Sequence, residues 1–366
     1  MPDVIIAGGG PAGLAAAIAV RQAGFEVRVY DSARPPIDKA CGEGIMPDGV
    51  AALQRLGVII PLSQACAFRG IRFVDDSHSV AAEFPNGFGY GIRRALLHTL
   101  MTQRVAELGV ALHWGQRITG VLAQSVEVDD KRVPFRWLVC ADGQNSPLRK
   151  RTGLFPSNTT RLRYGFRRHY HIAPWTDFVE VHWADGGQMY VTPIANDQIC
   201  VAFITGDLRL RFDAALPRFS KLAQRLRRAG IEGTTIGAVT ASRRLCRVQS
   251  GRIALSGEAA GSVDAITGEG LSIAFQQAFE LAAAMREGDL DPYQRAHERI
   301  MRLPRTMSRL LLSLDRRQDF RRRVLRALEH ESGAFEQMLA IHMGSGSVLD
   351  FPPRQALRLG WKIMHA

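Results

Sequence analysis

Asp3-Val4-Ile5-Ile6-Ala7-Gly8-Gly9-Gly10-Pro11-Ala12-Gly13 is the stretch that decides the fold. Residues 3–7 read as a short buried strand, and the glycines that follow stop it. LAAAIAVRQAG, residues 14–24, is an alanine-rich helix closed by glycine, and FEVRVY, residues 25–30, is a second strand ending at Asp31. Strand, turn, helix and strand within about 30 residues make one complete βαβ unit. The turn fits G-x-G-x-x-G: Gly8 permits the tight turn, Gly10 lets the backbone approach a pyrophosphate, and Gly13 allows close helix–strand packing. The helix that starts there offers unpaired N–H groups and its positive dipole end to phosphates. Asp31, 18 residues after Gly13, is placed to accept hydrogen bonds from ribose hydroxyls. A dinucleotide is the expected ligand, with NAD and FAD both open at this point.

The chain alternates like sheet from Phe68 to Phe84, reads as helix over 93–109, and returns to strand in VALHW, SVEVDD and RWLVCADG. Residues 160–245 are strand-rich with a helix near 214–229, GRIALSGEAAG supplies another strand and glycine turn, and helical period dominates from Leu271 on. That helical part is expected to break at Pro304 and at Pro352-Pro353. The fold class expected is α/β: a Rossmann-like FAD-binding domain in pieces 1–67, 90–157 and 245–300, interleaved with a mixed β-sheet substrate domain of 68–89 and 158–244. A C-terminal helical region, 301–366, completes it.

Two further patches separate the ligand candidates. One is Cys140-Ala141-Asp142-Gly143, a strand ending in Asp-Gly; the other is Ser256-Gly257-Glu258-Ala259-Ala260-Gly261, continuing to Thr267-Gly268-Glu269-Gly270-Leu271. Together with GGGPAG they resemble the three fingerprints of flavoprotein hydroxylases of the para-hydroxybenzoate hydroxylase type and of geranylgeranyl reductases. The resemblance implies non-covalent FAD, with Ala12 in the first turn, Gly257 and Glu258 toward the ribityl or pyrophosphate region, and Gly268, Gly270 and Leu271 opening a helix near the isoalloxazine. It implies Asp142 as a brace of the second glycine turn, and Arg94, in an R-x-x-L-H helix, over the phosphates, with Arg93 as the rival for that register. Family members usually carry Asp where this chain has Glu258.

Cys41 and Gly42, in Lys39-Ala40-Cys41-Gly42-Glu43-Gly44, resemble the C-G-x-G segment of geranylgeranyl reductases and are assigned to the cofactor. Cys41 is either a flavin-proximal thiol or a small residue packed at the turn. Tyr190 and Pro193, in QMYVTP, resemble the aromatic-x-x-Pro substrate strand of the same reductases; halogenases of related pattern carry W-x-W-x-x-P there. Aromatic hydroxylases typically show G-D-A-A-H and a following Pro, where this chain has Gly261 and Ala265. His169 and His171 share one face of a strand and are left outside the site.

The expected activity is FAD-dependent monooxygenation of an apolar or aromatic small molecule with NADH or NADPH and O₂. The alternative is reduction of a carbon–carbon double bond in a lipid or prenyl substrate, and a third reading is a flavin-binding module without turnover. No metal-ligand spacing and no Ser–His–Asp set stands out, which leaves the chemistry to the flavin.

The formal charge is +12, from 47 basic and 35 acidic residues, with Lys only at 39, 131, 150, 221 and 362. Arg favours bidentate pairing with phosphate and carboxylate, yet no short nucleic-acid-binding signature appears. Five scattered cysteines suggest neither a disulfide framework nor a zinc site, and point to a reducing, cytoplasmic setting. No signal peptide and no spanning segment is read. Residues 301–366 carry twelve basic and six acidic residues, interleaved with Leu310, Leu311, Leu312, Leu314, Val324, Leu325 and Leu328. That pattern suits peripheral contact with an anionic membrane, or a solvated Arg face over an ordinary core stripe. Oligomeric state has no signature in the sequence.

Overall fold

The structure, a computed structural model, describes residues 2–159, 162–346 and 352–365. Its first sheet runs in the order Gln249–Ser250, Ile253–Leu255, Trp137–Cys140, Val4–Ala7, Val27–Asp31, Ala111–Trp114. Every neighbouring pair is parallel except the first, and Val4 stands beside both Trp137 and Val27. VIIA and WLVC are buried along their whole length, as expected of parallel strands covered on both faces. The covering comes from helices Pro11–Gln22, Arg94–Glu107 and Gly270–Glu287, and from a meander whose Ile118, Val126 and Val128 join the same apolar cluster. Leu14 through Val20 are all buried; alanine at four of these seven positions lets the first helix lie close to its neighbours.

The second sheet has seven strands in the order Gly230–Thr240, Arg163–His171, Gln198–Thr205, Gly187–Ala195, Phe178–Ala184, Gly70–Val74, Ser79–Glu83. It is mixed, because Phe178–Ala184 runs parallel to Gly70–Val74 while the other pairs are antiparallel. Alternation along the strands sends Met189, Val191, Val201 and Phe203 into an apolar cluster with Leu222 and Leu226 of helix Ser220–Leu226. Tyr190, Arg163, Arg167 and His169 turn the other way, toward the loops of the first sheet. A small sheet, Gly44–Ile45, Gly89–Gly91 and Cys66–Phe68, joins the two layers. A Cβ on Gly91 would stand 1.7 Å from the Pro193 carbonyl oxygen, so only glycine permits that approach.

Helices Asp291–Arg316, Gln318–His330, Ser332–His342 and Pro353–His365 follow. Pro304 does not break the first of them: the helix runs through it, and Pro304 is buried. A proline inside a helix costs about 3 kcal/mol, and burial of Tyr293, Ala296, Met301 and Leu314 offsets that penalty. Leu314, Val324, Leu325 and Leu328 are buried against the second sheet, with Leu311 and Leu312 packed at the edge of the same cluster. For Leu311, Leu312, Leu314, Val324, Leu325 and Leu328 the core-stripe reading therefore holds, while Leu310 is exposed. The most exposed large apolar side chains of this region lie later, at Leu357, Trp361 and Met364. Among the described residues no helix is long and apolar enough to cross a membrane.

Candidate functional site

All five parallel strands of the first sheet deliver site residues at their carboxyl ends, where ligands bind in open α/β sheets. Val4–Ala7 leads into the glycine turn, Val27–Asp31 ends on Asp31, and Ala111–Trp114 ends on Trp114, whose ring packs on the glycine turn so closely that a Cβ on Gly9 would meet it at 2.3 Å. Trp137–Cys140 leads to Asp142, and Ile253–Leu255 to Gly257.

Gly8 has φ +113°, and a Cβ there would meet the Ala141 carbonyl oxygen at 2.3 Å; one on Gly13 would lie 1.8 Å from the Gly8 oxygen. These two glycines pack the turn against its neighbours. Gly10 has nothing within 4 Å of its Cβ position and caps helix Pro11–Gln22. Its open side is the cradle a diphosphate needs. Gly257, φ +60°, stacks on Ala12, which a Cβ would approach to 2.5 Å. Asp31 already accepts the Gly9 amide at 2.6 Å and the Ala33 amide at 2.8 Å, so it fixes the turn with lone pairs left over for a ribose. Asp142 accepts the Ser146 hydroxyl at 2.6 Å and the Leu148 amide at 3.2 Å, and burial pushes its carboxyl up. Its bonds are spent on the turn.

Arg94 starts helix Arg94–Glu107, and His98, one turn on, is bonded to the Gly9 carbonyl at 2.9 Å. Arg94 thus stands one helical turn from the residue that is bonded to the glycine turn. Its Nε is buried with no partner, an orphan that a phosphate would satisfy. Arg93 is committed elsewhere, to Glu232 and to His169 Nδ1. Glu258 is exposed on the short turn Gly257–Ala260. Gly268, φ +70°, and Gly270, with open space about its Cβ position, flank Glu269 at the start of helix Gly270–Glu287; Leu271 is half-buried behind them. Glycine cradles, a free helix start and an orphaned arginine fit FAD, whose bound flavin would supply two-electron redox chemistry.

Sequence reasoning passed over the most densely bonded part of the site. Glu43 is buried, with Oε1 accepting the Arg94 amide at 2.9 Å and Arg167 Nη1 at 2.8 Å, and Oε2 bonded to His169 Nε2 at 2.7 Å. Burial alone would raise its carboxyl; the bonds from His169, Arg94 and Arg167 hold it below the ordinary carboxylate range. Arg167 also forks onto Asp38 at 2.8 and 2.9 Å. A guanidinium only donates, so Arg93 makes His169 Nδ1 an acceptor and puts the ring proton on Nε2, facing Glu43. Ligating atoms of Glu43, His169 and Cys200 lie within 4.8 Å of one another, but those of Glu43 and His169 are committed to these arginines and to each other, an environment that opposes a metal cation. Two signals were legible: Glu43 lies inside the Cys41–Gly44 patch, and strand alternation puts Arg167 on the face of His169 and His171.

Cys41 Sγ accepts the Glu43 amide at 3.2 Å, and burial pushes the thiol up. Gly42 has open space about its Cβ position. Tyr190 donates to the Ile266 carbonyl at 2.9 Å, and burial raises its hydroxyl too. It thus ties the second sheet to the turn before Gly268 and is not free for a substrate. Pro193 is buried against Gly91.

Fold and site together define an FAD-dependent oxidoreductase. Residues 1–288 match the family described as FAD binding domain, and the chain belongs to that family. It is 29% identical over 323 residues to the menaquinone reductase of Mycolicibacterium smegmatis, covering 80% of this chain and 78% of the relative. It is 26% identical to the 6-methylpretetramide 4-monooxygenase of Streptomyces rimosus over 82% of this chain and 59% of that one. A flavoprotein/dehydrogenase from Cytophaga hutchinsonii shares the fold with a TM-score of 0.81 at 16% identity, over 94% and 93% of the two chains.

Proposed function

We propose that this protein is a flavin-dependent reductase that adds hydrogen across a carbon–carbon double bond of a lipid or prenyl substrate, with NADH or NADPH as electron donor. The observation that carries it is the 323-residue alignment with a protein named menaquinone reductase, which takes in most of both chains. Gly261 and Ala265, where hydroxylases of the resembling type carry His and Pro, point the same way. A packed apolar core reaches from Met46 and Ile266, beside the Gly268 turn, through Phe68 and Phe84 to Leu314, Leu325 and Leu339 of the C-terminal helices.

Monooxygenation of an apolar or aromatic small molecule is the second reading, favoured by the alignment with a named monooxygenase. Two experiments divide them. Under strict anaerobiosis the NADH- or NADPH-reduced protein should be reoxidised by a prenylated quinone, giving a product that still carries two added hydrogens in its side chain after any quinol formed has been oxidised back to the quinone. Reoxidation only by O₂, through a transient absorbing species and with one oxygen atom in the product, would assign the oxygenase. A flavin that neither NADH nor NADPH reduces would leave a binding module.

Peripheral contact with an anionic membrane from the cytoplasmic side belongs to the same proposal. Leu357, Trp361 and Met364, 74, 60 and 69% exposed, recur at helical spacing in Pro353–His365, whose charged residues Arg354, Arg358 and Lys362 are all basic. Apolar residues flanked by cations are what an interfacial helix presents to anionic lipid. Co-flotation with anionic vesicles at low salt, lost at high salt, is the expected result; no flotation at low salt removes this part.

A further inference from the structure

Glu269 is unlike its neighbours in the turn that opens helix Gly270–Glu287. Gly268 and Gly270 are exposed, whereas the Glu269 side chain between them is only 12% exposed. Oε1 stands 3.8 Å from His342 Nε2 of helix Ser332–His342, and Oε2 is buried with no partner. The titratable groups that face it are His342 and, from helix Pro47–Leu56, Asp48, whose oxygens accept from Ser272 and Gln276. On the same loop, Asp264 is turned away to Arg163. None of these neighbours is a permanent cation.

Burial raises the Glu269 carboxyl to about 8, with Asp48 adding to the effect and a bond from Thr267 opposing it. Burial drives His342 the other way, to about 4. At neutral pH the contact therefore joins a carboxylic acid to a neutral imidazole and is not an ion pair. The acid stands where the apolar cluster meets the cofactor-facing turn: Ile266 and Met343, neighbours in sequence of Thr267 and His342, belong to that cluster, as does Met46, whose methyl group lies 3.6 Å from the Gly268 Cβ position.

We propose that Glu269 is the proton donor of the reductase: it supplies the proton that accompanies hydride addition to the substrate double bond. The assignment rests on the reductase reading above. Its O–H bond breaks as a C–H bond forms at one alkene carbon, while the reduced flavin gives a hydride, with both electrons, to the other. The alkene becomes an alkane and the flavin is left oxidised. The carboxylate then regains its proton from water, and NADH or NADPH restores the reduced flavin. A buried acid with a pKa near the working pH, orphaned on one oxygen, suits such a donor.

The test compares the holoprotein with E269Q, which keeps the shape and removes the proton. Infrared spectra of the wild type should show a protonated carboxyl band at pH 7 that fades as pH rises through about 8 and is missing in E269Q. Because the folded-state pKa is raised, this group stabilises the fold fully below about 4.3, and the contribution is lost as pH climbs to about 8; E269Q should lack that slope in its unfolding midpoints. Anaerobic double-bond reduction by E269Q should fall by at least about 10²-fold, with FAD retained. Absence of the band, or wild-type rates in E269Q, overturns the proton-donor role alone. A wild type that shows the band yet reduces no double bond overturns the reductase reading, and the donor role with it.

Discussion

Glu43 shows how much one side chain settles here. Three donors from two layers converge on it, Arg94 and Arg167 by N–H groups and His169 by its ring, and its backbone adopts a positive φ of 58° to reach them. A left-handed conformation in a non-glycine residue costs of order 1 kcal/mol, and the bonds repay it. Truncation in E43A would leave Arg167 and His169 facing an empty buried space; breaking a buried pair from one side costs about 3–5 kcal/mol, to be read from urea unfolding. E43Q keeps the shape and separates out the charge. Since the Glu43 carboxyl is held below its ordinary value, its charge stabilises the protein above about pH 4.3 and that contribution is lost as pH falls through the folded-state value. The difference in unfolding midpoint between wild type and E43Q should therefore shrink on acidification; a constant difference would show that the charge is not what matters. At Gly13 the argument is steric. A Cβ 1.8 Å from the Gly8 carbonyl oxygen must push helix and turn apart, and G13A should purify without its flavin absorbance.

At the scale of elements, the two ends of the C-terminal helical layer behave oppositely although both mix leucine with arginine. Helix Gln318–His330 buries Val324, Leu325 and Leu328 and turns Arg322, Arg323 and Arg326 outward. L325A should destabilise the fold by about 2–5 kcal/mol while leaving vesicle binding untouched. In Pro353–His365, Leu357 and Met364 are exposed, so the double variant L357A/M364A should change stability by less than about 0.5 kcal/mol and abolish co-flotation with anionic vesicles. The sequence could not tell these helices apart, because both carry apolar residues at helical period beside arginines, and which stripe meets a sheet is decided by tertiary contacts. The βαβ unit was legible for the opposite reason: Gly8, Gly10, Gly13 and Asp31 are tied to one local geometry whatever surrounds them. Pro304 misled because its local penalty is known and the burial that outweighs it is not local.

Across the whole molecule, what escaped sequence reading is the set of charges joining the layers. Arg163 of the second sheet reaches Asp264 at 3.3 Å on the loop before Gly268, Asp315 at 3.1 Å on helix Asp291–Arg316, and Gln188 at 2.9 Å on a neighbouring strand. Residues 101 and 152 positions apart meet at one guanidinium, and no spacing rule reports pairs so distant. Arg163 and Asp264 are buried, so these charges have little water to fall back on. Burial raises the Asp315 carboxyl, with the Arg163 charge pulling it back. The consequence is that the 264–270 turn, the second sheet and the C-terminal helices should loosen together. In R163M the two carboxylates lose their shared cation, and hydrogen exchange should accelerate both in the 264–270 turn and in helix Asp291–Arg316, with faster release of FAD. Adding D315N to R163M removes one of the stranded charges and should recover part of the loss, since residues in one network are not additive. Exchange that quickens at the helix but not at the turn would mean that Arg163 merely anchors the helix, and that the C-terminal layer can move without disturbing the cofactor.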